Sequence, residues 1–160
     1  TEHLGPQWFC NTLAAKSNIS NCLHDMGRSE EALSMKREVY QENLRLLGPM
    51  HQATLMDVCN IAKLLILLGR FEEVVRTVRR HAGPAQKKLG ADHDVVLQLQ
   101  MFLAYSSARA ATSRKQLAEA LSSMQTVYER RLRVFGPAHP ATKTCEEDLA
   151  EIRGVLGLLY

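Results

Sequence analysis

Leu47-Gly48-Pro49-Met50-His51-Gln52-Ala53-Thr54 returns further along the chain as Phe135-Gly136-Pro137-Ala138-His139-Pro140-Ala141-Thr142. A third copy, Leu89-Gly90-Ala91-Asp92-His93-Asp94-Val95-Val96, has lost the proline but keeps glycine and histidine, and Leu4-Gly5-Pro6 begins a degraded fourth. The glycines at 5, 48, 90 and 136 are spaced by 43, 42 and 46. A second landmark keeps the same phase. Met26-Gly27-Arg28-Ser29-Glu30-Glu31-Ala32 matches Leu68-Gly69-Arg70-Phe71-Glu72-Glu73-Val74, and Lys115-Gln116-Leu117-Ala118-Glu119-Ala120 follows 46 residues later. A third series runs Asn18-Ile19-Ser20, Asn60-Ile61-Ala62, Phe102-Leu103-Ala104 and Asp148-Leu149-Ala150. A fixed period of this length marks a protein built from stacked supersecondary units. The four extra residues of the third unit fall around Ala111-Thr112-Ser113-Arg114.

Between landmarks the pattern is helical. Leu55, Val58, Cys59, Ala62, Leu65 and Ile66 recur at the spacing of one helix face. Gly27 and Gly69 stand just past apolar helices, where a left-handed cap favours glycine. Gly48-Pro49 and Gly136-Pro137 end the second helices, because proline cannot continue them. The expected helices cover 8–26, 29–47, 52–68, 71–88, 93–111, 114–135 and 139–156. Gly83-Pro84 should kink or restart the fourth. The four-residue insertion is close to one helical turn, so the helices of the third unit can lengthen without turning their apolar faces far. None of these helices can bury its apolar face alone, so the units must stack.

Composition fits one folded domain: 160 residues, 46% hydrophobic and 23% charged, with a formal charge of +3 that argues neither for nor against nucleic acid. No run of about 18 apolar residues offers a membrane span. Thr1-Glu2-His3-Leu4 lacks the layout of a signal peptide, and the missing initiator Met reads as a piece of a longer array. Cys10, Cys22, Cys59 and Cys145 show no paired spacing, and the first three sit in apolar surroundings that suggest buried thiols. A reducing, cytoplasmic compartment is expected.

Glycine after the first helix, a small residue at its centre and another early in the second resemble the tetratricopeptide repeat. The small pairs are Ser20 with Ala32, Ala62 with Val74, and Ala104 with Ala120. The longer period with Leu-Gly-Pro-x-His-x-x-Thr is similar to the variety found in kinesin light chains. The resemblance implies an all-α, right-handed superhelical solenoid of seven helices in antiparallel pairs. It comprises about three and a half repeats in a single domain, with units at 5–47, 48–89, 90–135 and a partial 136–160. It also implies a non-catalytic scaffold or adaptor that holds a protein or peptide in a groove lined by the first helices. Groove positions carried over are Ser17, Asn18, Asn21 and His24, then Met56, Cys59, Asn60, Lys63 and Leu67. Gln98, Met101, Phe102, Tyr105 and Arg109 follow, with Glu147 and Glu151 from the last unit. Asn18 and Asn60 occupy the same place in two units, and a planar amide can both donate to and accept from an extended backbone. They could equally bond within the solenoid.

Chaperone-binding members of the family clamp a carboxylate with basic residues, but Ser17, Gln98 and Phe102 stand where those would be. Kinesin light chains take acidic segments around a tryptophan. Lys63 and Arg109 would suit these, and Glu147 and Glu151 would oppose them. The alternative surface is basic: Lys36, Arg37, Arg45, Arg76, Arg79, Arg80, Lys87, Lys88, Arg130, Arg131 and Arg133 all fall on second helices. That layer could meet an acidic protein, RNA or an anionic membrane, or be a solvated face neutralised by Glu38, Glu42 and Glu129. Nucleic acid is disfavoured because no aromatic residues accompany the charges. A purely architectural part in a larger array is the third reading.

No cofactor is implied. His51, His93 and His139 share one repeat position, which spaces them about 8–10 Å apart, too far to share zinc at about 2.0–2.1 Å. They are expected to serve helix starts. Cys22 and Cys59 fall on apolar faces without a base beside them. The last helix lacks its second-helix partner, so Val155, Leu156, Leu158 and Leu159 offer an apolar face for self-association.

Overall fold

The computed structural model describes residues 6–158, apart from the side chains of 6–10, 156 and 158. Seven helices and no strand occur among the described residues: α1 (Pro6–Asp25), α2 (Ser29–Leu47), α3 (Gln52–Leu67), α4 (Phe71–Leu89), α5 (Asp94–Arg109), α6 (Arg114–Phe135) and α7 (Pro140–Leu158). Each boundary lies within two residues of the expected one. The landmark Leu4-Gly5 and the last residues, 159–160, lie outside the described residues.

Local chemistry accounts for the punctuation. Gly27 and Gly69 adopt φ of 77° and 72°, a region costly for any residue with a Cβ. In each of these corners an arginine pairs with the glutamate three residues on, Arg28 with Glu31 and Arg70 with Glu73. The histidines of the other corners do one job three times. Nδ1 of His51, His93 and His139 accepts the backbone N–H two residues ahead, at 3.2, 3.3 and 3.2 Å. A ring nitrogen therefore does what a serine or aspartate oxygen usually does at a helix start.

The insertion divides in two. The first helices end at equivalent places, Asp25, Leu67 and Arg109, but the linker grows from 26–28 and 68–70 to 110–113. α6 takes up the remainder by starting early, and it has 22 residues where α2 and α4 have 19. The glycine corner is replaced by a serine cap: Ser113 Oγ accepts from the Gln116 N–H at 3.2 Å, and Gln116 Oε1 accepts from the Thr112 N–H at 2.9 Å. Only the second helix of this pair lengthens.

Gly83-Pro84 does not restart α4, which runs through it. Gly83, Pro84 and Arg80 are all exposed, so the turn that loses a backbone hydrogen bond to proline lies on the solvent side of α4.

The chain divides into two compact units, Thr1–Leu64 and Leu65–Tyr160. In the first, α1 packs on α2, burying Leu13, Leu23, Ala32, Leu33 and Val39. Ser20 Oγ donates to the Ala32 carbonyl at 2.8 Å, which ties the small pair directly across the two helices. In the second unit, α5 packs between α4 and α6, and α7 packs on α6 and touches α5. Leu97, Ala104, Leu117, Ala120, Met124, Cys145, Leu149 and Ile152 make one apolar core there. Each large aliphatic side chain fully buried in this way contributes about 1.5–3 kcal/mol.

Two basic residues of the expected outer layer are inside. Lys36 and Arg131 are only 9% and 5% exposed. Arg131 Nη1 donates to the Ala141 carbonyl at 2.8 Å, joining α6 to the start of α7. The cysteine expectation also needs correcting: Cys22 is exposed, whereas Cys59 and Cys145 are buried, and all three are free thiols. Cys22 points away from the α1–α2 contact that Ser20 and Leu23 make. The side chain of Cys10 lies outside the described residues.

Candidate protein-binding surfaces

In the first unit the expected groove residues of α1 and α3 separate into free and engaged ones. Asn18 is exposed and Asn60 half-buried, and among the described residues neither amide has a hydrogen-bond partner. Ser17 and Met56 are half-buried, and Lys63 is exposed. Asn21 and His24 are already in use. Asn21 Oδ1 accepts from Lys36 Nζ at 2.8 Å, and His24 Nδ1 lies 3.0 Å from Ser29 Oγ. Cys59, at 0% exposure, is a core residue and offers nothing to a partner.

The bond from Lys36 belongs to a polar cluster. Asp57 accepts from Asn43 Nδ2 at 2.6 Å, and Lys36 and Asp57 attract each other electrostatically. Burial holds the Asp57 carboxyl above its usual range, against the pull of Asn43 and Lys36, and it lowers the Lys36 ammonium. Repeat alignment could have revealed this cluster, because Lys36 occupies the place of Val78 and Met124 in the later units.

In the second unit α5 presents Gln98, Phe102, Tyr105 and Arg109 along one face, at spacings of four, three and four residues. Gln98 and Phe102 are half-buried, and Gln98 has no hydrogen-bond partner among the described residues. Arg109 Nη1 donates to Glu151 Oε1 of α7 at 2.5 Å, and the Tyr105 hydroxyl lies 3.2 Å from the same oxygen. The Arg109 guanidinium also rests 4.8 Å from the centre of the Phe71 ring, which meets Tyr105 edge-on at 6.3 Å. Glu151 therefore neutralises Arg109 as well as lying beside it. Burial, with Glu151 next to it, raises the Tyr105 phenol. Asp148 on α7 is pushed up to about 6, chiefly by burial and then by Glu151. Glu147 is exposed, and so is Leu67, at 67%.

Met101 is 4% exposed and lies on the core side of α5, its sulfur 3.3 Å from Cys145 Sγ. It leaves the groove set for the same reason as Cys59. Burial pushes the Cys145 thiol up to about 11, which disfavours the nucleophilic thiolate. For self-association, Val155 is exposed, but the side chains of Leu156 and Leu158 and the whole of Leu159 lie outside the described residues.

Helix pairs recurring at a fixed period define a helical repeat protein, whose first helices carry part-exposed polar and aromatic side chains. Residues 108–141, from the end of α5 through α6 to the start of α7, match the family model of the tetratricopeptide repeat. That stretch is thus similar to a tetratricopeptide repeat of the type found in kinesin light chains. No curated protein matches the chain.

Proposed function

We propose that the protein is a non-catalytic scaffold that holds a segment of a partner protein against the faces of its first helices. Tetratricopeptide repeats in general bind proteins, and the observation that carries the reading here is a set of amides left unused. Asn18, Asn60 and Gln98 are polar, partly or fully exposed, and bonded to nothing among the described residues. An extended peptide presents unpaired N–H and C=O groups that such amides can satisfy. Phe102, half-buried beside Gln98, adds apolar contact area. We place the scaffold in a reducing, cytoplasmic compartment, where the exposed Cys22 stays a thiol.

The test is affinity capture from native lysate with the wild type and with an Asn60→Ala/Gln98→Ala variant. Neither amide is bonded among the described residues, so thermal unfolding should stay within a degree or two. A bound partner would be left with unsatisfied backbone groups, each worth about 1–3 kcal/mol, and its recovery should fall tenfold or more. Equal recovery by both proteins would refute the reading.

A further inference from the structure

On the other side of α5 a cleft of about 730 Å³ opens between α4 and α6. α5 packs closely on both helices, whereas the α4 and α6 backbones do not come close to each other, so the outer face of α5 forms the cleft floor. Gln100, Leu103, Ser107 and Ala110 line it, about half a helical turn round from Gln98, Phe102, Tyr105 and Arg109. The volume falls within the range of about 300–1,000 Å³ usual for binding sites.

The chemistry of the cleft is graded along its length. Short linkers make consecutive helices antiparallel, so α4 and α6 run the same way. Glu72 and Glu119 lie near their starts, whereas Arg130 lies near the end of α6, with Arg76 and Arg79 between. Arg76 and Arg79 are exposed and have no ion pair or hydrogen bond among the described residues. Among the described residues Arg130 makes only a long bond, 3.4 Å, to the Ala91 carbonyl. Arg76 thus lies one turn from Glu72, Arg79 stands about halfway along, and Arg130 marks the far end, where no carboxylate lines the cleft. The middle is apolar, built from Val75, Leu103 and Val127.

Unused hydrogen-bonding groups follow the same line. The Ser107 hydroxyl has no partner among the described residues. Gln100 Nε2 donates to Gln86 Oε1 at 2.5 Å, which leaves the Gln86 amide N–H groups and the Gln100 carbonyl free. These groups suit an occupant with unsatisfied main-chain donors and acceptors, which an extended chain has and a helix does not. From Glu119 to Arg130 the helix rises about 16 Å at 1.5 Å per residue, the reach of about five extended residues. Glu72 and Glu119 would repel a phosphate backbone, and no aromatic ring lines the cleft for bases to stack on.

We propose that the α4–α6 cleft is a docking site for an extended segment of another protein. The segment is about five residues long, with Asp or Glu at the arginine end and an apolar side chain over Leu103. The site lies on the face of α5 opposite the first-helix surface, so it stands or falls separately from the scaffold reading above.

The experiment selects binders from a displayed random heptapeptide library on the intact chain, then measures their affinities as labelled synthetic peptides by fluorescence anisotropy. Selected peptides are expected to carry acidic residues towards one end. Arg76→Glu/Arg79→Glu reverses two exposed charges that bond to nothing, so the fold survives, and it should weaken these peptides at least tenfold. Replacing the acidic residues of a peptide by lysine should restore its binding to that variant. Ser123→Trp, which narrows the cleft without changing charge, should also cost tenfold or more, while Asn60→Ala/Gln98→Ala should change nothing. Selected peptides without acidic bias would overturn the proposal, as would affinities unmoved by the Arg76/Arg79 and Ser123 variants. So would arginine-dependent binding of a uridine oligonucleotide in the absence of any selected peptide.

Discussion

The two compact units bury equivalent repeat positions with opposite chemistry. In the first, Lys36 and Asn43 on α2, each 9% exposed, pair with Asn21 on α1 and Asp57 on α3. One repeat on, the places of Lys36, Asn43 and Asp57 hold Val78, Ala85 and Leu99, all at 0% exposure. A further repeat on they hold Met124, Arg131 and Cys145. Burial is thus a property of the repeat position, while polarity is a property of each unit. A buried polar group is tolerated only with partners in reach. Asn21 and Asp57 supply partners in the first unit, and the Ala141 carbonyl supplies one to Arg131 in the second. Met124 sits among Leu97, Ala120, Leu149 and Ile152, which could supply none.

The largest effect should come from exporting the polar chemistry of the first unit to the second. Met124→Lys would place an ammonium in the α5–α6–α7 core with no counter-group. An uncompensated buried charge costs about 3–5 kcal/mol, a large part of the stability of a typical domain. Urea denaturation should show the loss, and a change below about 1 kcal/mol would break the comparison.

The next effect concerns a half-buried carboxylate of the second unit. Asp148 has its folded pKa raised to about 6, so the stability it supports is complete below about pH 4 and is lost as pH rises through 6. Asp148→Asn keeps the neutral form at every pH. The variant should gain about 1–2 kcal/mol at pH 7.5, allowing for partial solvent screening, and the gain should vanish near pH 4. Thermal melts across that range decide it. A gain independent of pH would assign the effect to packing.

The smallest change should be the reciprocal swap, Lys36→Met, which brings the residue of the third unit into the first. It removes a desolvated ammonium and fills similar volume, and it frees Asn21, which is exposed enough to bond water. The net change should stay within about 1 kcal/mol at acidic pH. Asp57 would lose a favourable charge, so its pKa should rise further and the variant should weaken relative to wild type as pH rises. Equal costs for Lys36→Met and Met124→Lys would erase the distinction between the units.

Much of the fold was legible because repetition is a linear signal. Glycine corners and proline stops depend on near neighbours, and the helix boundaries followed from them, while the Ser20–Ala32 pair showed through a spacing of twelve that Ala62 and Val74 repeat. The candidate surface was legible only in part. Spacing placed Gln98, Phe102, Tyr105 and Arg109 on one face, but the same spacing also admitted Met101 and Cys59, because a position one residue round the helix can belong to the core. The salt bridge from Arg109 to Glu151 and the contact of Met101 with Cys145 join residues 42 and 44 apart. No local pattern announces such pairs.

The order and lengths of the helices, and the repeat that relates them, follow from the sequence by itself, since backbone preference and capping act over a few residues. Only tertiary structure decided which polar side chains went inside. Lys36 and Arg131 carry positive charge as Arg79 does, yet they are buried because Asn21 and the Ala141 carbonyl come within hydrogen-bonding reach. Tertiary structure also opened the cleft over α5, because α4 and α6 each pack against that helix while their backbones stay apart.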